Sequence, residues 1–157
     1  MGYDSRADTL QHILRVQQLI HAFVIELLKR ADKHDASKLE EPEKPLLDRL
    51  TPKLRGTTYG SKEYQALLEE LRPALEHHYR VNPHHPEHYP NGIAGMSLLD
   101  LVEMLADWAA ATERHADGDL ARSLQINRER FQISEQLAQI LENTARELGW
   151  LNDGRMG

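Results

Sequence analysis

The sequence predicts an all-α protein. Apolar residues recur at helical spacing over four long stretches, nothing alternates with period two, and only residues 81–90 read as extended. The first stretch carries Leu10, Ile13, Leu14, Ile20, Val24, Leu27, Leu28 and Ala31 on its apolar side, and no Pro or Gly interrupts it before His34. Asp4 or Asp8 supplies its start signal. In the following HDASKLEEPEKP, Pro42 and Pro45 end regular structure or open a short helix. Gly56 and Gly60 bracket a connection, and Ser61 is placed to cap a helix over SKEYQALLEELRPALEHHY, with Pro73 as a kink position. VNPHHPEHYPNG holds three prolines and a glycine within residues 81–92, so it reads as a loop. Ser97 caps LLDLVEMLADWAAATERH, which ends near Asp117-Gly118-Asp119. A last helix is expected from about Leu120 to Leu148, stopped by Gly149. The expectation is four long helices and one or two short ones, in a single domain over 1–157 without repeats or linkers.

Composition narrows the function classes. A chain of 157 residues is long enough to bury a core. Its net charge of −6 argues against a general nucleic-acid binder, so no duplex nucleic acid is expected as partner. The absence of cysteine excludes disulfides, thiolate-ligated zinc, iron–sulfur clusters and thiol nucleophiles. No apolar run reaches the roughly 18 residues of a membrane span, and MGYDSRAD is not a secretory signal, so a cytoplasmic protein without membrane contact is expected.

The histidines break this ordinary profile. Five of the nine (His77, His78, His84, His85 and His88) fall within residues 77–88, an interrupted, internal cluster unlike a tag. Imidazole is the commonest nitrogen ligand of first-row metals, and carboxylates complete such sites. Asp100, Glu103 and Asp107 lie at i, i+3 and i+7, one face of an otherwise apolar helix. Asp100 has a second reading, as a first-turn charge facing the helix dipole. Glu103 and Asp107 have one as partners of basic side chains, and the HHPEH loop as a polar turn stiffened by prolines. His21, His88 and His115 read as surface residues.

The adjacent pair His34-Asp35 follows a long amphipathic helix carrying His12 and precedes Ser37-Lys38. This pattern resembles the HD-domain superfamily of metal-dependent phosphohydrolases. The strings HDASK, PE at 42–43, YGS at 59–61, HHYRVNPHHPEH and DLVEMLADW also resemble an uncharacterised family of small phage and bacterial proteins, over nearly the whole chain. The first resemblance implies an HD-like helical bundle in which His34, Asp35, His78 and Asp107 bind a metal. His84 or His85 would complete that site or hold a second ion, and His12 would be a further ligand from an antiparallel helix. His12 and His34 are 22 residues apart, roughly 33 Å in one unbroken helix. Either the chain turns back near His21-Ala22-Phe23, or His12 lies outside the His34 site.

Chemistry then assigns the remaining roles. A cage of imidazoles and carboxylates without thiolates suits one or two Mn, Fe, Co, Ni, Zn or Mg ions. Glu103, one turn from Asp107, is the candidate general base or the residue behind a ligand. Lys38 is expected to contact a substrate phosphate as a point charge. Ser123, Asn127 and Arg130, at i, i+4 and i+7, line a substrate pocket or form a solvated face. Neither G-x-x-x-x-G-K-[ST] nor G-x-G-x-x-G occurs. The expected function is a metal-dependent phosphohydrolase of a small phosphorylated compound, with a nucleotide first among substrates on the strength of the resemblance. The alternative is a non-catalytic metal- or nucleotide-binding phage accessory protein in the bacterial host cytoplasm. A homo-oligomer stays open.

Overall fold

Residues 2–58, 60–114 and 118–151 are described by the computed structural model. Among them six α-helices and three short 3-10 turns supply the regular structure, and there is no strand. The all-α expectation holds. Contacts group the chain into two units, Met1–His34 and Asp35–Gly157. The sequence reads as one domain because nothing in its composition marks a junction at His34-Asp35.

The first unit is essentially one helix, α1 (Arg6–Ala31), with no buried residue. The Asp4 carboxylate accepts from the Arg6 backbone N–H at 3.0 Å, which ties down one of the unpaired donors of the first turn. Asp8 in the first turn and Lys29 and Arg30 in the last complement the helix dipole. The helix is unbroken across His21-Ala22-Phe23, so His12 stands about 28 Å along the axis from Ala31. His12 is therefore not brought to His34, which corrects its inclusion among the ligands.

The second unit contains α2 (Glu43–Gly56), α3 (Lys62–Val81), α4 (Leu98–Thr112), α5 (Leu120–Arg130) and α6 (Glu135–Glu147). Pro45 is the third residue of α2, within the first turn, where its missing N–H costs no helical bond. A helix can therefore open directly after Pro42, and it runs for 14 residues, through Pro52. Ser61 caps α3 by accepting from the Tyr64 N–H at 3.1 Å, and α3 continues through Pro73. Helices α2 and α3 share a small core of Leu50, Leu71 and Ala74. A second core, with Met104, Leu105, Ala109, Leu120, Ile133, Leu141 and Ala145, joins α4, α5 and α6. The segment Asn82–Ser97 links the two cores.

The single long helix expected over 120–148 is two helices. The Ile133 N–H bonds the Arg128 carbonyl at 2.9 Å and the Gln132 N–H bonds the Glu129 carbonyl at 3.3 Å, closing α5 in a Schellman motif. Gln132 takes the left-handed conformation (φ 52°), and Ser134 caps α6 by accepting from the Leu137 N–H. Gly149 (φ 71°) ends α6 in the same way, as its identity predicts.

Candidate metal centre

Four segments of the second unit bring polar side chains together. Asp35 opens it in the left-handed conformation (φ 55°), which Asp tolerates better than most residues, and leads into the 3-10 turn Ala36–Leu39. The last full turn of α3 carries His77 and His78. After α3, Pro83 and Pro86 flank His84-His85. Glu103 and Asp107 lie one turn apart on α4.

Three imidazoles converge on one carboxylate. Asp35 Oδ1 lies 3.3 Å from His78 Nε2 and 3.5 Å from His84 Nε2, and the Nε2 atoms of His78 and His85 are 2.9 Å apart. One donor atom from each of Asp35, His78, His84 and His85 falls within 4.8 Å of all the others. Metal–ligand bonds of about 2.0–2.2 Å at angles of about 90–110° separate neighbouring donors by about 2.8–3.6 Å. All three measured spacings fall in that window. The donor set therefore fits a divalent cation, and three imidazoles favour a first-row transition metal over Mg.

The outer side of the cluster is carboxylate. Glu43, 1% exposed at the start of α2, accepts from His77 Nδ1 at 2.7 Å and from His78 Nδ1 at 2.9 Å. Burial pushes its carboxyl up, but hydrogen bonds from His77, Ser37 and His78 outweigh this and hold it below its ordinary value. Asn82 donates to Ser37 Oγ and to the His78 carbonyl, both at 2.9 Å, closing a buried network. Glu103 Oε1 lies 3.1 Å from His84 Nδ1. Of the two roles expected for Glu103, this geometry matches the residue behind a ligand. Burial, then the neighbouring His84 and His78 rings, push His85 down to about 3, so its ring is neutral at ordinary pH.

Asp107 brings a carboxylate oxygen within 4.8 Å of a His84 ring nitrogen. Asp100 follows its second reading: its Oδ2 accepts from the Ser97 N–H at 2.7 Å and from the Tyr89 hydroxyl at 2.8 Å, and with Ser97 it forms a capping box. His34 is the half-buried last residue of the first unit, one peptide bond before Asp35. His21 is exposed, His88 bonds the Tyr79 carbonyl at 2.9 Å, and His115 lies outside the described residues.

Lys38, 40% exposed, pairs with Asp35 Oδ2 at 2.5 Å. It also borders a cavity of about 130 Å³ beside the cluster, lined in addition by Glu43, Leu47, Leu75, His78, Tyr79 and His85. Asn127 and Arg130 are not among the residues lining that cavity. Asn127 reaches Ser123 at 3.4 Å, and Arg130 pairs with Glu87 at 2.8 Å on the outside of the histidine loop. Their expected place in the substrate pocket is corrected: spacing along one helix showed a shared face but not what that face meets.

Glu43, Ser37 and Asn82 carry no local signal for this role, and His77 has only its membership of the histidine cluster. Glu43 meets its histidine partners across 34 and 35 residues of sequence. A buried acid that does not cap its own helix is the only sign, and it is visible only in three dimensions.

Among the described residues no helix is long and apolar enough to cross a membrane. No curated protein and no solved structure matches the chain. One family model, described as a family of unknown function (DUF5662), matches residues 1–147, and the chain belongs to that family.

Proposed function

We propose that the cluster of Asp35, His78, His84 and His85 holds a divalent metal, and that the protein is a metal-dependent phosphohydrolase of small phosphorylated compounds, nucleotides first among them. The observation that carries the metal is the spacing of the donors, 2.9–3.5 Å between adjacent ligand atoms. A divalent cation there supplies Lewis acidity toward a phosphoryl oxygen and lowers the pKa of water. Lys38 holds Asp35 Oδ2 and borders the adjacent cavity, so a phosphate entering it meets an ammonium charge. Glu103 keeps the His84 ring in place from behind. Asp107, near His84, is the candidate carboxylate for a second ion. The substrate class comes from the likeness of the HDASK segment to HD-domain phosphohydrolases.

The test has two stages. Elemental analysis of protein purified without a His-tag should find at least one transition metal per chain. The metal-loaded protein should then release phosphate from 5′-monophosphates, and chelator should stop it. Metal without phosphate release from any mono-, tri- or cyclic nucleotide would favour the non-catalytic binding protein. Absence of metal under loading conditions would sink the proposal.

A further inference from the structure

We infer that Glu43 is a positioning residue of this centre: it fixes the tautomer of His78, so that the Nε2 lone pair rather than an N–H faces the ligand cluster. The inference rests on the metal-centre reading for its purpose, but its geometry stands independently. A carboxylate held ionised can only accept hydrogen bonds. Glu43 has the surroundings of such a group: each of its oxygens faces an imidazole nitrogen, at 2.7 Å for His77 Nδ1 and 2.9 Å for His78 Nδ1. The ring nitrogen 2.9 Å from Oε2 must then carry the proton, and that nitrogen is His78 Nδ1. A neutral imidazole has one N–H, so His78 Nε2 is left with its lone pair. That nitrogen is the one 3.3 Å from Asp35 Oδ1 and 2.9 Å from His85 Nε2.

Two other groups approach Nδ1 closely enough to compete. Ser37 Oγ lies 3.3 Å away, but its single hydrogen goes to the Glu43 carboxylate, so it has none to give Nδ1. Asn82 Nδ2 lies 3.0 Å away, but its two hydrogens are directed to Ser37 Oγ and to the His78 carbonyl, each at 2.9 Å. It has no third hydrogen for His78, so the proton on Nδ1 is not displaced. The second oxygen of Glu43 accepts from His77 Nδ1, and Ser37 bonds the carboxylate as well. The carboxylate is thereby held on several sides and cannot turn away from His78. The required chemistry is that of an acceptor at both oxygens. An amide offers an acceptor on one side and donors on the other, so glutamine can hold only one of the two rings in its present tautomer.

The test reads the tautomer directly. In the metal-free wild-type protein, 15N-resolved NMR of the histidine rings should show His78 protonated at Nδ1 and not at Nε2. The opposite tautomer overturns the inference, whether or not the protein binds metal. In Glu43→Leu, which removes the acceptor while filling a similar space, His78 should lose its fixed Nδ1–H tautomer. Affinity for Zn or Mn, measured by competition with a chromogenic chelator, should fall about 10–100-fold. An unchanged tautomer with affinity within about twofold of wild type also overturns it. A purely structural role for Glu43 would lower the melting temperature and leave the tautomer alone. Should Glu43→Leu fail to fold, the wild-type tautomer still decides. A wild-type protein with the expected tautomer and no metal affinity would support the positioning and defeat only the metal reading.

Discussion

Glu43 and Asp100 occupy the same kind of position and do opposite things. Each is an acid in the first turn of a helix, and the two are 1% and 2% exposed. Asp100 turns back on its own helix, accepting from the Ser97 N–H and hydroxyl, three residues away. Glu43 makes no such bond; α2 begins at Pro42 without a side-chain cap, and the carboxylate faces two imidazoles of α3. Burial and the helix dipole act alike on both, so neither distinguishes them. What differs is the origin of the donors: Asp100 takes two from its own helix start and one from the Tyr89 hydroxyl, whereas Glu43 takes imidazole donors from α3. A buried acid bonded by its own helix start stabilises that helix, and one bonded by another element's histidines sets how those histidines face.

The widest separation between these two roles should appear at the carboxylate inside the cluster. Asp35→Ala should leave no stoichiometric metal after loading and desalting, because it removes both an anionic ligand and the charge that offsets the cation. Retained metal would mean that the wrong carboxylate has been assigned. Glu103→Ala should weaken metal affinity about 10–100-fold by freeing the His84 ring, and Glu103→Gln, which keeps an acceptor, should recover most of it. Equal losses in the two variants would argue for charge rather than ring orientation.

Asp100→Ala tests the other side of the comparison. It should cost about 1–3 kcal/mol in denaturant unfolding, since it strips a cap and orphans buried donors, with metal stoichiometry unchanged. Loss of metal at unchanged stability would erase the distinction between the two acids. The smallest effect belongs to Arg130→Ala, which breaks an exposed pair with Glu87 on the outer side of the histidine loop. Stability should change by no more than about 1 kcal/mol. A larger change would make that surface pair part of what holds His84 and His85.

Local rules carried the sequence reading as far as local partners reach. Ser61 and Ser97 are caps, and Gly149 is a terminator, because each acts on backbone within a few residues. Gln132 performs the same terminating geometry as Gly149 with a residue that does not advertise it, so the α5–α6 break was hidden. His78, His84 and His85 stand out by residue type and density, Asp35 only through the resemblance of the HDASK segment, and the fold brings the four together. His12 and Arg130 show the limit of that approach. Periodicity gives the face of a helix but not its distance from another element, and Glu43 was missed for the same reason.

The conformation of Asp35 narrows which residues can stand at this position. A left-handed backbone with φ 55° is readily adopted by Gly, Asn and Asp and resisted by side chains branched at Cβ. Of those three, only Asp offers an anionic oxygen to His78 and His84. Backbone geometry and ligand chemistry thus select the same residue for unrelated reasons. A relative carrying Asn or Gly here would keep the turn into the Ala36–Leu39 segment while giving up the charge, so under the proposed metal reading this one position separates members able to hold the ion from those that retain only the scaffold.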